Sequence, residues 1–234
     1  MRYVHVPFVI VFLLLVTLGG CKKEMYDFPE MEQFPEVDTG GGYDTVGIDF
    51  DTVEMKELLL NGGLEKWVDR IIINYDIPEY WFCHNNHNVT KENSMVWEGR
   101  YSARMSSTET GSTARIDQRV AVTPGHRIRI RFRYRVEQWK SKGARTYCYF
   151  RTNAAETYNI PVDELKAFYS PEEYYIIRGG GYGLTYLPHD LNVWKVFDEI
   201  VTVPPTAYYF VFGVNSYYGT TLYVDDCSVM EFME

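Results

Sequence analysis

Hydrophobic and polar residues alternate with a period of two along the middle of the chain. The alternation is clearest from His126 to Val136, where apolar residues occupy one side and arginines the other. The apolar side holds Ile128, Ile130, Phe132, Tyr134 and Val136, and the other side holds Arg127, Arg129, Arg131, Arg133 and Arg135. A period of two is typical of a strand with one buried face. The segment is therefore predicted to be a strand with a core side and an arginine side.

Similar strand-like segments recur at 114–122, 146–152, 194–203, 208–214 and 222–232. They are separated by turn signals such as Pro-Gly, Lys-Gly, Pro-Pro and Tyr-Gly. One short helix is expected at 162–169, and strands do not alternate with helices. The pattern predicts an all-β fold, an antiparallel β-sandwich or jelly roll, with one long insertion at about 153–193. The insertion is longer than a hairpin loop and rich in tyrosine and glycine.

The N-terminus is a separate kind of segment. An apolar run from Val6 to Leu18 follows Arg2 and ends in Gly-Gly-Cys21. The run is short for a membrane-spanning helix, which needs about 20 apolar residues, and it fits a secretory signal. Its end resembles the lipobox of bacterial lipoproteins, in which the cysteine is lipidated. This implies a signal peptide at 1–21, lipidation at Cys21, and an exported protein anchored to the outer membrane on its periplasmic or surface side.

Charge and composition divide the rest of the chain. Residues 22–57 contain 11 acidic residues and three lysines, so most of the net charge of −9 lies there. With its glycines and prolines, this stretch predicts an acidic, flexible tether at 22–56 and a nearly neutral domain at 57–234. An aromatic content of 16% argues against a disordered chain. The acidic balance gives no reason to expect a nucleic-acid partner.

Four segments of the domain form an ordered set. They are LLLNGGLEKW at 58–67, EGRYSA at 98–103, the predicted hairpin within 115–136, and TLYVDDCSV at 221–229. Together they resemble carbohydrate-binding modules with a galactose-binding-like jelly roll, and the resemblance covers 57–234. It implies a non-catalytic domain whose partner is a polysaccharide or oligosaccharide. The same superfold serves other kinds of recognition, so the ligand has to be argued from the site.

The resemblance also implies a structural Ca²⁺ ion near the chain ends. Its carboxylate ligands would be Glu65 and an aspartate of the Asp225–Asp226 pair, with Asp225 as the candidate, because calcium prefers oxygen ligands. The alternative is that these carboxylates cap or pair with groups close by.

Aromatic rings that stack on sugars, beside arginine or amide donors, are what a glycan site needs. If strand 146–152 pairs with the arginine-bearing strand, Cys148 and Phe150 point inward and alternate residues lie outside beside the arginines. The predicted carbohydrate-binding residues are Trp139, Tyr147, Tyr149, Arg133, Arg151 and Tyr182. The alternative is an outer face held by cation–π contacts and salt bridges under the insertion. Trp67, Trp81 and Trp97 are expected in the core.

Catalysis has little support, because no nucleophile elbow and no paired catalytic carboxylates can be identified. The protein is therefore predicted not to be an enzyme. The alternative function is a structural or adhesion module that contacts another envelope protein, and a hydrolase-like enzyme ranks below it. Apart from Cys21, the cysteines are Cys83, Cys148 and Cys227, which allow at most one disulfide.

Overall fold

A computed structural model of the chain describes residues 53–70, 75–108, 110–140, 142–153, 159–177, 186–188 and 190–233. These residues belong to one compact unit, Asp44–Glu234. The predicted signal peptide, Cys21, most of the tether and Tyr182 lie outside the described residues. Within the described ranges, no helix combines the length and apolar character that a membrane span requires.

The described part of the chain is built mainly from antiparallel strands. Their bounds are β1 (Met55–Glu57), β2 (Trp67–Arg70), β3 (Tyr75–Pro78), β4 (Phe82–His84), β5 (Val89–Glu92), β6 (Ser102–Ser106), β7 (Thr113–Ala121), β8 (Arg127–Gln138), β9 (Ala144–Thr146), β10 (Tyr149–Arg151), β11 (Trp194–Thr202), β12 (Tyr209–Tyr217) and β13 (Thr221–Phe232). Sheet 1 has the order β11-β8-β13-β6-β5, with β1 beside β13. Sheet 2 has the order β10-β12-β7-β4, with β9 beside β12, and β2 pairs with β3 separately. The predicted all-β sandwich is confirmed.

The core lies between the two sheets and follows from the alternation in β8. Ile128, Ile130 and Phe132 are fully buried on its inner side. The ring of Phe132 packs against Phe212 of β12, with 5.6 Å between ring centroids, and so joins the two sheets. Trp81 meets Phe212 edge-on at 5.9 Å and is buried as expected. Since apolar residues fill the space between the sheets, the chemistry of the domain is left to the two outer sides.

The pairing of the segment 146–152 differs from the expectation. It forms β9 and β10, which pair with β12 in sheet 2 and not with β8. The reason is that β8 is already flanked by β11 on one side and β13 on the other. Cys148 and Phe150 do point into the core. Tyr147 and Tyr149 point to the outer side of sheet 2, so their predicted position beside the arginines of β8 is wrong.

The insertion contains two short helices, α1 (Val162–Phe168) and α2 (Pro171–Ile176). The first was expected from the sequence and the second was not. Ser170 begins α2 with a capping box: its hydroxyl accepts from the Glu173 N–H at 3.2 Å, and the Glu173 carboxylate accepts from the Ser170 N–H at 3.1 Å. The sequence Ser-Pro-Glu-Glu is the signal that could have predicted this helix. The Tyr169 hydroxyl donates to the Thr202 carbonyl of β11, which fastens the insertion to sheet 1.

Two smaller expectations can also be compared with the structure. Met55 and Lys56, assigned to the tether, lie in β1, where Met55 pairs with Phe232. The described domain therefore begins earlier than residue 57. The three cysteines Cys83, Cys148 and Cys227 are buried and are not joined in a disulfide. Burial raises the pKa of the Cys148 thiol to about 12, so it behaves as a small apolar core residue.

Candidate functional site

The outer side of sheet 2 gathers tyrosines and arginines from four neighbouring strands. Strand register places them together, since Tyr149 pairs with Val211 and Val211 in turn with Arg119. We call this surface the tyrosine face, and its outward residues are Phe82, His84, Arg115, Asp117, Arg119, Tyr209, Val211, Asn215, Tyr217, Arg145, Tyr147, Tyr149 and Arg151.

Arg115 occupies the centre of an aromatic cluster on the tyrosine face. Its guanidinium carbon lies 4.3 Å from the ring centroid of Tyr147 and 5.9 Å from that of Phe82. Its Nε lies 2.9 Å from the Asp117 Oδ2 atom. The guanidinium is thus oriented by two rings and one carboxylate, which fixes a fork of hydrogen-bond donors.

The other arginines of the tyrosine face also lie over rings. The Arg151 guanidinium carbon is 5.0 Å from the Tyr149 ring centroid, and its Nη2 donates to the Tyr149 hydroxyl at 2.8 Å. Two further pairs have the same arrangement. The guanidinium carbon lies 5.8 Å from the ring centroid in the pair Arg119–Tyr209 and 5.0 Å from it in the pair Arg145–Tyr217. Tyr186, which follows the insertion helices, is stacked on Tyr217 at 6.4 Å.

The tyrosine face has a buried inner half and an exposed edge. Tyr147, Tyr149 and Arg151 are each 8% exposed, whereas Phe82 on the edge strand β4 is 56% exposed. Burial also raises the pKa of Tyr149. The prediction that Tyr147 and Tyr149 form an open platform is therefore wrong, because arginines and neighbouring rings cover them.

Two buried donors of the inner half, among others on the tyrosine face, make no hydrogen bond to the described residues. They are Nδ2 of Asn215, a residue 4% exposed, and Nε of Arg151. Buried donors are normally paired, because leaving one unpaired costs about 1–3 kcal/mol. Among aromatic rings, such donors indicate a place where an acceptor from another molecule would be stabilising.

The outer side of sheet 1, the arginine face, has a different character. Arg129 donates twice to Asp198 of β11, from Nε to Oδ1 and from Nη2 to Oδ2, both at 2.6 Å. Arg131 donates from Nη1 to Asp226 Oδ2 at 3.1 Å, and its Nε lies 3.7 Å from Asp198. Arg133 Nε is 3.8 Å from Asp226 Oδ2. Carboxylates from both neighbouring strands thus hold the centre of the arginine row.

Trp97 and Trp139 are both exposed tryptophans. Trp97, expected in the core, is 44% exposed, and the Arg133 guanidinium carbon lies 4.3 Å from its ring centroid. Trp139 is 43% exposed and follows the last residue of β8, in the connection that leads to β9. It packs over Gly143, where an added Cβ would lie 2.2 Å from the Trp139 Nε1 atom. Arg133 is therefore not assembled with Tyr147, Tyr149 and Arg151, whereas Trp139 lies beside Gly143, whose carbonyl accepts from the Tyr217 N–H at 2.9 Å at one end of the tyrosine face.

Glu65 and Asp225 converge on the loop that carries Trp97. Glu65 Oε1 accepts from the N–H groups of Arg100 at 2.9 Å and Tyr101 at 3.2 Å. Asp225 Oδ2 accepts from the N–H groups of Trp97 at 2.8 Å and Glu98 at 3.2 Å. Burial, with a smaller contribution from the charge of Glu65, raises the pKa of Asp225 to about 6.

The two predicted calcium ligands therefore act as acceptors for backbone amides. Gly99 is required at the loop centre, since it has φ +75° and an added Cβ would lie 2.2 Å from Glu65 Oε1. Across the described ranges, no group of three or more His, Cys, Asp or Glu residues is arranged to hold a metal. A cation at Glu65 and Asp225 would have to compete with amide hydrogens for the same oxygens. Calcium stays a prediction.

Sequence reasoning missed several residues of the tyrosine face. Arg115, Asp117 and Arg119 alternate with apolar residues in ARIDQRVAV, so their shared side was detectable. Asn215 was harder to find, because β12 is apolar on both sides around it and shows no clear period of two.

Comparisons with known proteins found distant structural likenesses. No protein-family model matches the sequence, and no curated protein matches it. Among solved structures, a family 16 carbohydrate-binding module is 15% identical with a TM-score of 0.44, over 74% of this chain and 98% of the module. TmCBM61, described in complex with β-1,4-galactotriose, is 13% identical with a TM-score of 0.42, over 74% of this chain and 97% of that chain.

The enzymatically active domain of tailspike protein 4 from bacteriophage CBA120 is 13% identical with a TM-score of 0.43. The match covers 74% of this chain and only 21% of the tailspike chain. The predicted antiparallel β-sandwich is confirmed by the sheet topology, and carbohydrate-binding modules are among the solved structures to which it is similar. Identities this low say nothing about the ligand.

Proposed function

We propose that this protein binds carbohydrate without cleaving it, through the tyrosine face of sheet 2. The observation that carries the proposal is the pair of buried donors, Asn215 Nδ2 and Arg151 Nε, placed among tyrosine rings. Sugar hydroxyls are acceptors of suitable size, and the apolar side of a sugar ring stacks on aromatic side chains.

The exposed edge of the tyrosine face would make the first contact with a saccharide. Phe82 presents its ring to solvent there, and Arg115 lies between it and Tyr147. Because Asp117 and both rings already orient the guanidinium, little side-chain entropy is lost when it donates to hydroxyls. The donors of the inner half are buried in the free protein, so they would complete binding only after the side chains that cover them move outward.

The proposal includes display at the cell envelope. The signal peptide and lipobox pattern at 1–21 supports export and lipidation at Cys21, and the acidic tether supports a domain held away from an anionic membrane. A Cys21→Ser variant should lose incorporation of labelled fatty acid and leave the membrane fraction. Unchanged labelling and fractionation would contradict the anchor and leave carbohydrate binding untouched.

Affinity electrophoresis with uncharged polysaccharides, such as xylan and β-1,4-galactan, tests the binding function. Phe82→Ala should weaken retardation about tenfold, because one stacking ring is removed. Tyr80→Ala is the matched control, since Tyr80 is also 56% exposed but precedes the strand. Absence of retardation for the folded wild-type protein across a broad panel would overturn the proposal. Equal effects of the two variants would remove Phe82 from the site.

Asn215 allows a second test that separates binding from stability. Asn215→Ala should leave the free energy of unfolding nearly unchanged, because the lost Nδ2 has no described hydrogen-bond partner. The same variant should weaken saccharide binding. A clear loss of stability with unchanged affinity would assign Asn215 a structural role and contradict the proposed site.

A further inference from the structure

A shallow groove runs along the arginine face, on the sheet opposite the tyrosine face. Its volume is about 330 Å³, near the small end of ligand sites, which span roughly 300–1,000 Å³. Val196, which is 45% exposed, and Met230 supply apolar surface within it. We call it the arginine groove, and it is lined by Arg129, Arg131, Arg133, Val196, Asp198, Ser228 and Met230.

Positive charge exceeds negative charge in the arginine groove. Its three arginines share two carboxylates, Asp198 and Asp226. Arg129 uses one carboxylate bidentately, and Arg131 donates to the other.

Arg133 is the arginine left with unused donors. Its closest carboxylate oxygen is 3.8 Å away, and its Nε makes no hydrogen bond within the described part of the chain. Arg135 lies two residues further on the same side of β8, and its Nη1 also makes no hydrogen bond within the described part of the chain. Guanidinium groups form strong bidentate bonds with carboxylate, sulfate and phosphate groups. The end of the row at Arg133 can therefore accept an anion without breaking an existing hydrogen bond.

Trp97 lies directly beside this anion-binding end. The Arg133 guanidinium is held 4.3 Å from the Trp97 ring centroid, and Trp194 meets Trp97 edge-on at 6.1 Å. The Trp97 backbone is itself fixed by the buried Asp225. The site thus combines a positioned aromatic surface, a positioned cation and apolar side chains on the floor of the groove.

We propose that the arginine groove is a second binding site, for a sugar that bears a carboxylate or sulfate group. Arg133 would bind the anion and Trp97 would contact the sugar ring. An acidic sugar can contact both Arg133 and Trp97, whereas a free inorganic anion would contact only Arg133. The proposal lies on the opposite sheet from the tyrosine face and does not depend on it.

Titration with oligogalacturonate and with a sulfated oligosaccharide tests the second site. Arg133→Gln should lower the affinity about tenfold, and Arg133→Lys should retain part of it, because charge remains while the fork is lost. The matched control is Arg127→Gln, which removes the same charge from the same strand outside the groove lining. It should change affinity less than twofold. Trp97→Ala should also lower the affinity, and it does so without changing the charge of the site.

Three outcomes would overturn the proposal. One is equal loss of affinity in Arg133→Gln and Arg127→Gln, which would indicate a general effect of charge. Another is inorganic sulfate binding as tightly as the glycan, which would leave Trp97 without a role. A third is binding of the domain to anionic lipid vesicles but not to acidic oligosaccharides. If Arg133→Gln still binds uncharged polysaccharide, the tyrosine face is intact in that variant. The two proposals can therefore fail independently.

Discussion

The two outer faces of the sandwich use arginine in opposite ways. At the centre of the arginine face, Arg129 and Arg131 donate to carboxylates from neighbouring strands. On the tyrosine face, arginines lie over rings, as Arg115 does over Tyr147 and Arg151 over Tyr149. Carboxylate pairs fix charge in a salt-dependent manner, while ring contacts fix it through packing and leave donors unused. Arginine is thus held mainly by carboxylates at the centre of the arginine face and mainly by aromatic rings on the tyrosine face.

The largest expected effect comes from the inner half of the tyrosine face. Tyr147→Ala should lower the free energy of unfolding by about 3 kcal/mol, since it removes a ring that packs on Tyr149 and Arg115. Urea denaturation measures the change. Phe82→Ala, which removes an exposed ring of the same face, should cost less than about 1 kcal/mol. Similar losses in both variants would refute the division into buried and exposed halves.

The anchor of Trp97 on the opposite sheet should matter somewhat less. Asp225→Ala should destabilise the domain by about 2 kcal/mol, because the N–H groups of Trp97 and Glu98 lose their buried acceptor. Chemical denaturation gives the stability, and acrylamide quenching of tryptophan fluorescence reports the loosened loop. The control is Glu98→Ala in the same loop, which should be nearly neutral. A stable Asp225→Ala protein would show that this carboxylate does not hold the loop.

Glu199 on β11 tests how sheet 1 responds to pH. Burial, and secondarily the charge of Asp198, raises the pKa of Glu199 to about 6. The folded state therefore binds this proton more tightly than the unfolded state. The stabilisation that comes from this bound proton is fully present below about pH 4.5, and it is lost as pH rises through about 6.

Glu199→Gln should accordingly raise the free energy of unfolding at pH 7.5 by about 1 kcal/mol and flatten its dependence between pH 5 and 7.5. Thermal and urea unfolding across this range measure the effect. The pH dependence that remains in the variant is expected to come from Asp225, because the pKa of Asp225 is also raised to about 6. An unchanged pH profile would mean that Glu199 is ordinarily hydrated.

Asp226 tests the charge pairing of the arginine face. Asp226→Asn should cost only about 0.5 kcal/mol at low salt, and less at high salt, because the pair with Arg131 is partly exposed. It should also strengthen binding of acidic oligosaccharides, since Arg133 loses its nearest carboxylate. Unfolding at two salt concentrations checks the first expectation, and titration checks the second. Weaker glycan binding would contradict the assignment of Arg133.

Calcium should have the smallest effect. An ion at Glu65 and Asp225 would replace amide hydrogen bonds, so its net gain should stay below about 0.5 kcal/mol, or about 2 °C in Tm. Thermal unfolding with calcium and then with a chelator measures it, and Glu65→Gln should abolish any shift. A larger calcium-dependent shift that survives Glu65→Gln would place the ion elsewhere.

The sequence was sufficient for the long strands from β7 onwards and for which residues of β8 face the core, since alternation in β8 reports burial directly, but it did not show the short strands β1 to β6. It could not give the neighbours of each strand. Tyr147 and Tyr149 were assigned to the correct side of their own strand but to the wrong sheet, because pairing with β12 joins residues more than 60 positions apart. Trp97 was expected inside because tryptophan is apolar, whereas a buried aspartate from β13 holds its loop at the surface. Such contacts between distant segments leave no local pattern.

One irregularity in β13 has consequences for how this surface can evolve. Between Asp225 and Ser228 the strand carries one extra residue relative to β8, and Asp226 has φ +49°. The bulge lets two consecutive aspartates serve the same side of the sheet, where a regular strand would turn one of them inward. Deletion of Asp226 would remove the bulge and keep the register, because Asp225, Cys227 and Ser228 would then oppose Arg133, Phe132 and Arg131 in a regular strand. The charge beside Arg131 and Arg133 can therefore be changed by substitution at position 226, or removed together with the bulge, without moving any other side chain of β13 to the opposite side of the sheet.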